Sequence, residues 1–122
     1  MNMKKQVLVV DDSPFIVEMV GRILEELGHN AIKVRDGEMA LTRAGQMEPD
    51  LIILDVQMPK IDGLAVLAAL RKDARFIDTP IIMLSSVRDG EVVRRSIMSK
   101  ATAYVLKDDP DEIKKRIEDV LS

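Results

Sequence analysis

The chain has 122 residues, of which 47% are hydrophobic and 32% are charged, and its formal net charge is -3 at pH 7. These values predict one soluble globular domain over residues 1–122 and exclude a disordered chain. The negative charge disfavours direct nucleic-acid binding, and the absence of cysteine excludes disulfides and thiolate chemistry. The apolar run at residues 7–10 is too short for a signal peptide or a membrane span, so we expect a cytoplasmic protein without membrane insertion.

Short apolar runs alternate with segments of helical periodicity along the chain. Several runs are apolar throughout, which is typical of parallel strands covered on both faces. Each intervening segment is long enough for the helix of a crossover connection. The pattern predicts an α/β fold with five βα units and a doubly wound parallel sheet. The predicted strands are residues 7–10, 31–34, 51–54, 81–84 and 104–106.

The helix boundaries have recognisable signals. The first helix is predicted to begin after Ser13, with Pro14 at its first position, and to end at Gly28. The next three helices each begin with an Asp-Gly pair, at residues 36–37, 62–63 and 89–90. The fifth begins with Asp109 before Pro110, and the chain finishes with this helix.

Polar residues follow four of the five predicted strands. Because ligands of open α/β sheets bind outside the carboxyl ends of the strands, these residues are expected to converge on one rim. Carboxylates that lie so close repel one another unless a cation lies among them, and hard oxygen ligands suit Mg²⁺ or Mn²⁺. An aspartate can act as a nucleophile by forming an aspartyl-phosphate, while a lysine and a hydroxyl can bind phosphoryl oxygens. The residues are Asp11, Asp12, Asp55, Ser85 and Lys107.

Four segments, "VLVVDDSP", "LIILDVQMPKIDG", "PIIMLSS" and "AYVLKD", in this order and spacing, resemble the receiver domain of two-component response regulators. The resemblance covers essentially the whole chain. It implies a flavodoxin-like, CheY-like (βα)5 fold with a central five-stranded parallel sheet. It also implies a phosphoacceptor rather than an enzyme, one that catalyses at most its own phosphorylation and slow autodephosphorylation.

The resemblance assigns a role to each matching residue. Asp55 would accept a phosphoryl group from a phosphohistidine of a sensor histidine kinase, or from a phosphotransfer protein, in a Mg²⁺-dependent reaction. The implied metal site is formed by Asp11, Asp12, Asp55 and the main-chain carbonyl of Gln57. Lys107 and Ser85 would bind the phosphoryl group, and Ser85 and Tyr104 would form the switch.

The implied output is a change in the face made by the fourth helix, fifth strand and fifth helix. We expect Arg94, Arg95, Lys100 and Tyr104 on this face, together with part of residues 110–121. Its partner would be a downstream protein, an output domain or a second phosphorylated copy. The alternative, which the sequence supports almost equally, is that the fourth helix is simply exposed to solvent and binds no partner.

Two of the departures from the pattern of the family bear on the backbone. Asp108 stands where the family usually has a proline joined by a cis peptide bond. A cis bond to a non-proline residue costs roughly 2.5 to 4 kcal/mol, so this bond is either strained or trans. Lys100 stands where the family commonly has a glycine. If that position is left-handed, Lys100 bears a cost that glycine would not.

Plainer explanations exist for single residues. Asp11 and Asp12 could start a turn before a helix, Ser85 could cap a loop, Tyr104 could serve packing and Lys107 could be solvated. Asp55 is different, because a charge at the end of a buried strand needs a partner.

Two alternative functions also remain open. The chain could be the receiver fragment of a longer regulator with a DNA-binding or enzymatic output domain. It could also be a phosphatase with an aspartate nucleophile, but Gln57 occupies the place where such enzymes need a second aspartate. The missing phosphate-binding glycine loop argues against direct nucleotide hydrolysis. His29 is expected on the opposite rim, as a surface residue.

Overall fold

The computed structural model describes residues 4–122, which form five strands, five α-helices and one short 3-10 turn. Every strand covers the predicted residues and extends one residue further at one end. The strands are β1 Gln6–Val10, β2 Asn30–Val34, β3 Leu51–Asp55, β4 Ile81–Ser85 and β5 Ala103–Leu106. The helices are α1 Pro14–Glu26, α2 Gly37–Met47, α3 Gly63–Lys72, α4 Gly90–Met98 and α5 Pro110–Leu121, and the 3-10 turn is Ala74–Phe76.

The strands form one sheet in the order β2-β1-β3-β4-β5, and every neighbouring pair is parallel. The order reverses between β1 and β3, which makes their carboxyl ends the switch point of the sheet. The predicted doubly wound (βα)5 fold is therefore confirmed.

The side chains of each central strand alternate between two hydrophobic clusters. In β3, Ile52 and Leu54 belong to a cluster with residues of α2 and α3. Leu51 and Ile53 belong to a second cluster, which contains residues of α1 and α5. Helix α4 contributes less, through the partly buried Val92. Burial on both faces explains why the strand sequences are apolar throughout.

All five α-helices begin at a side chain that accepts a backbone N–H from the first turn, which supports the sequence-based boundaries. Ser13 accepts from Ile16 in α1, and Asp109 accepts from Glu112 in α5. The aspartates of the three Asp-Gly pairs cap α2, α3 and α4 in the same way; they are Asp36, Asp62 and Asp89.

Helices α1 and α4 end in the same hydrogen-bonded motif with different residues. In α1, Gly28 and His29 donate to the carbonyls of Glu25 and Leu24 at 3.0 and 2.9 Å. In α4, the N–H groups of residues 100 and 101 donate to the carbonyls of residues 97 and 96 at 2.9 and 3.0 Å. The motif requires a left-handed residue, which is Gly28 with φ 84° in α1 and Lys100 with φ 69° in α4. Lys100 therefore bears the predicted cost.

We expect Lys100→Gly to raise the free energy of unfolding by about 0.5 to 1 kcal/mol. A left-handed L-residue costs roughly 1 to 2 kcal/mol, and glycine removes this cost. The greater conformational entropy of glycine in the unfolded chain offsets about half of the resulting stabilisation. Urea unfolding at constant m-value measures the change. Gly28→Lys, the reverse exchange in α1, should destabilise by a similar amount. A lower stability of Lys100→Gly would contradict this explanation.

Two remaining predictions concern regions away from the switch point. His29, which is expected at the surface, is half-buried. Its Nδ1 accepts the backbone N–H of Lys5 at 3.1 Å. Among residues 4–122, no helix is long and apolar enough to cross a membrane.

Candidate functional site

Asp55 is the last residue of the central strand β3, and it is only 1% exposed. Its Oδ1 accepts the backbone N–H of Gln57 at 3.2 Å and lies 3.1 Å from Nζ of Lys107. Its Oδ2 is buried without a hydrogen-bond partner among the described residues. An unsatisfied buried oxygen costs about 1 to 3 kcal/mol or more for a charged group, so this oxygen is suited to a further ligand.

Asp11 follows β1 and shares Lys107 with Asp55. Asp11 is fully buried, and its Oδ2 lies 2.9 Å from Nζ of Lys107 in an ion pair that falls outside hydrogen-bond geometry. Its Oδ1 accepts the backbone N–H of Ser13 at 2.9 Å. The rim thus brings together two carboxylates and one ammonium, which lie at the ends of three strands that are distant in sequence.

Asp12 completes a cluster of three carboxylates at this rim. One oxygen each of Asp11, Asp12 and Asp55 can be chosen so that all lie within 4.8 Å of one another. Asp12 is exposed, whereas the other two are buried, so the cluster is open to solvent on one side. A single lysine cannot balance three negative charges, and an all-oxygen donor set fits Mg²⁺ or Mn²⁺. The predicted metal-binding residues therefore fit a divalent cation, although the role of the Gln57 carbonyl stays a prediction.

The electrostatics of the cluster change two pKa values. Burial and, secondly, the charge of Asp11 raise the pKa of Asp55 from 3.8 to about 7, against the opposing influence of Lys107. Burial lowers the pKa of the Lys107 ammonium, but its contacts with Asp11 and Asp55 outweigh burial, so this pKa is raised overall. Lys107 therefore stays charged at neutral pH, while Asp55 without a cation is partly protonated.

Ser85 and Tyr104, the predicted switch residues, both contact the residue Val87. Ser85 ends β4 next to β3 and is 1% exposed, and its Oγ accepts the backbone N–H of Val87 at 2.9 Å. The half-buried Tyr104 donates its hydroxyl to the carbonyl of Val87 at 2.6 Å. The loop after β4 is thus attached to both side chains. Val87 has no polar side chain, and no sequence signal pointed to it.

The Lys107–Asp108 peptide bond is trans, as are all described peptide bonds. Lys107 reaches both carboxylates from this conformation, and its N–H donates to the carbonyl of Ser85 at 2.9 Å. The Asp108 carboxylate forms an ion pair with Arg88 at 2.8 Å. The residue that replaces the family's proline therefore contacts the loop after β4, in an exposed pair of small expected energy.

Gly63 lies against the backbone of Asp55, and the sequence alone did not distinguish it from the other glycines that follow a capping aspartate. Its N–H donates to the carbonyl of Val56 at 2.7 Å. A Cβ at Gly63 would lie 1.8 Å from the carbonyl oxygen of Asp55. Helix α3 thus packs against the backbone that carries the central carboxylate.

The predicted partner face is largely exposed. Arg94 and Arg95 lie on α4 and Lys100 follows it, all exposed, while Tyr104 is half-buried. Arg94 pairs with Glu91 of the same helix at 2.8 Å. Two apolar side chains that the sequence reasoning missed, Ile97 and Met98, are 62% and 69% exposed on this helix.

Known proteins resemble this chain in sequence and in fold. The chain is 36% identical over 105 residues to the DNA-binding response regulator MtrA of Mycolicibacterium smegmatis, a match that covers 86% of this chain and 45% of MtrA. The chemotaxis response regulator CheY4 of Vibrio cholerae superposes with a TM-score of 0.90 at 32% identity, over 98% of this chain and 100% of CheY4. The Mn²⁺-bound response regulator Rcp1 superposes with a TM-score of 0.87 at 26% identity, over 97% and 95%.

The chain covers nearly all of the CheY4 and Rcp1 structures but only part of the curated relatives. The chain spans less than half the length of the first curated relatives it matches, between 13% and 46%. The family described as "Response regulator receiver domain" matches residues 7–118. This match covers every residue of the sheet except Gln6, and every residue of the carboxylate cluster. The chain therefore belongs to the receiver domains of two-component response regulators.

Proposed function

We propose that Asp55 accepts a phosphoryl group from the phosphohistidine of a sensor kinase or phosphotransfer protein. An Asp55 carboxylate oxygen forms the new P–O bond, and the P–N bond of the phosphohistidine breaks. The electron pair of that bond stays on the ring nitrogen, which leaves neutral imidazole when the other ring nitrogen carries a proton. Residues 1–122 act together as one receiver domain in this reaction.

The observation that carries the proposal is the environment of Asp55. One oxygen contacts Lys107 and the N–H of Gln57, while the other is buried without a hydrogen-bond partner among residues 4–122. Phosphoryl transfer is catalysed mainly by positioning and charge stabilisation, and a rigid strand end supplies the positioning. The Lys107 ammonium is available to neutralise phosphoryl oxygens as their charge develops. The Ser85 hydroxyl can donate to one of them.

Mg²⁺ or Mn²⁺ is the cofactor that the carboxylate cluster would hold through Asp11, Asp12 and Asp55. When bound, such a cation supplies charge neutralisation for both the carboxylates and the phosphoryl oxygens. The similarity to Rcp1, whose structure is described as the Mn²⁺-bound form, supports this assignment. The raised pKa of Asp55 supports it too, because ionisation of this carboxyl calls for a further positive charge.

Intact-mass measurement after incubation with Mg²⁺ and a small acyl phosphate tests the proposal. The wild type is expected to gain one phosphoryl group, and Asp55→Asn none. Asp50→Asn, directly before the first residue of the same strand, is the matched control and should be modified like the wild type. Chelation of Mg²⁺ should prevent modification. An equal adduct on Asp55→Asn would contradict the proposal, and catalytic phosphate release without an adduct would favour the phosphatase alternative.

We further propose that phosphorylation acts through Val87 on the partner face. An added phosphoryl group brings about two negative charges next to Ser85, whose hydroxyl now accepts from Val87. A change at Val87 affects its hydrogen bond with Tyr104 and therefore α4. The recipient is a downstream protein, an output domain or a second phosphorylated copy. The likeness to MtrA, a DNA-binding response regulator, supports an output domain as one such recipient.

Backbone amide NMR of the phosphorylated chain tests this connection without a partner. In the wild type we expect amide shifts in α4 and β5 as well as at the cluster. In Tyr104→Phe, which lacks the hydroxyl bonded to Val87, the α4 shifts should decrease while Asp55 is still modified. Amides of α2 serve as the internal control and should stay unchanged. Undiminished α4 shifts in Tyr104→Phe would contradict the proposed route.

A further inference from the structure

Arg35, the residue directly after β2, contacts the backbone of the carboxylate cluster. Its Nε and Nη2 donate to the main-chain carbonyl of Asp12 at 3.2 and 3.0 Å. The contact is possible because β2 pairs in parallel with β1, with Val34 opposite Val10, so the ends of both strands lie side by side. A planar guanidinium that donates twice to one oxygen fixes that oxygen better than a single donor does.

Asp12 has few other constraints. The preceding Asp11 is buried, and its N–H donates to Val34 at 3.2 Å. The following Ser13 donates to Asp11 and caps α1. Asp12 itself is exposed, and in the part of the chain that the structure describes, Arg35 supplies its only hydrogen bonds outside a regular helix or strand. The peptide that carries the exposed carboxylate thus depends on this arginine for its orientation.

We infer that Arg35 is a positioning residue for Asp12 and strengthens divalent-cation binding by holding that main chain. This inference rests on the proposed metal-dependent function. No pattern in the sequence marks Arg35, which lies 23 residues from Asp12 and beside an Asp-Gly pair. Groups that orient metal ligands change metal affinity by about 10- to 100-fold in well-ordered sites.

The positive charge of Arg35 acts in the opposite direction to its hydrogen bonds. A guanidinium near the cluster repels an incoming cation, and solvent and salt screen this repulsion because Arg35 is exposed. If charge dominated, removal of the arginine would tighten cation binding. If positioning dominates, as we infer, removal weakens it. The two effects therefore differ in sign, and lysine separates them because it keeps the charge without the planar double donor.

Isothermal titration of the complete chain with MgCl₂ at pH 8 tests the inference, since Asp55 is then mostly ionised. We expect Arg35→Lys and Arg35→Gln each to weaken Mg²⁺ binding by about 3- to 10-fold, less than for a buried metal-orienting group because Arg35 is exposed. Arg116→Lys, on the exposed surface of α5, is the control and should match the wild type. Saturating Mg²⁺ should restore phosphorylation of both Arg35 variants to the wild-type extent.

Each other outcome has a defined meaning. Wild-type affinity in Arg35→Lys, or tighter binding in Arg35→Gln, would overturn the inference. A wild type that binds no Mg²⁺ would instead refute the proposed metal-dependent function. The amide signal of Ser13 in the metal-free protein adds a readout that is independent of activity, and it should shift or broaden in both Arg35 variants but not in Arg116→Lys.

Discussion

Gly63→Ala is expected to destabilise the protein by about 3 kcal/mol or more and to displace Asp55. A Cβ at this position would lie 1.8 Å from the carbonyl oxygen of Asp55, 2.7 Å from its carbonyl carbon and 2.8 Å from Cα of Val56. All three atoms belong to the backbone, so no side-chain rotation relieves the clash. Overpacking usually costs about 1 to 3 kcal/mol, and contact with a rigid backbone belongs at the upper end.

The structure restricts how this clash can be relieved. Val56 donates to Leu84 of the neighbouring strand at 3.1 Å, and its carbonyl accepts from Gly63 at 2.7 Å. Either α3 moves away from the sheet and loses the apolar contacts of Leu67 and Leu70, or the end of β3 moves and takes Asp55 with it. We therefore expect reduced phosphorylation of the folded Gly63→Ala protein as well as reduced stability.

The chain contains matched controls for Gly63→Ala. Gly37, Gly63 and Gly90 each follow a capping aspartate at the first position of a helix. A Cβ at Gly90 would meet no atom of the described residues within 4 Å, whereas one at Gly37 would approach Val66 to 2.9 Å and Ile61 to 3.1 Å. Urea unfolding should thus give almost no loss for Gly90→Ala, an intermediate loss for Gly37→Ala and the largest for Gly63→Ala. Equal midpoints for the three variants would contradict the argument.

These three glycines also show where sequence-based prediction ends. The Asp-Gly pairs predicted the starts of three helices, because capping depends on residues close in the chain. Whether a Cβ would fit at the glycine depends on which element packs against it, and this differs at each of the three positions. The sequence therefore predicted the helix boundaries and could not rank the glycines.

The candidate site likewise contains residues that the sequence predicts and contacts that it does not. The positions of Asp11, Asp55 and Lys107 could be predicted, because the carboxyl ends of parallel strands share one edge of the sheet. The contacts of Val87 and Arg35 are made through backbone carbonyls and depend on loop conformation, which residue type does not specify. The resemblance to receiver domains implied a role for each matching residue. Arg35 lies outside the four segments that carry this resemblance, so it received no role.

In the absence of divalent cations, the free energy of unfolding should fall as the pH is raised from 5 to 8. Burial and the charge of Asp11 raise the pKa of Asp55 from 3.8 to about 7 in the folded state. Between these two pKa values the folded state binds more protons than the unfolded state, so stability decreases with rising pH. The stabilisation is complete below about pH 4 and is lost by the time the pH passes 7. Across pH 5 to 8 the expected fall is about 2 to 3 kcal/mol.

Asp55→Asn should remove most of this pH dependence, because the amide carries no charge to bury. Lys107 then pairs with Asp11 alone, and its raised pKa leaves it charged throughout this range. Urea unfolding in a chelating buffer at several pH values measures the effect, with Asp50→Asn as the control that should behave like the wild type. Added Mg²⁺ should stabilise the wild type most at pH 8 and Asp55→Asn much less, since a cation binds the ionised carboxylate. Parallel pH profiles for the wild type and Asp55→Asn would mean that Asp55 ionises without a penalty in the folded protein, and the need for a cation at this carboxylate would then have no electrostatic basis.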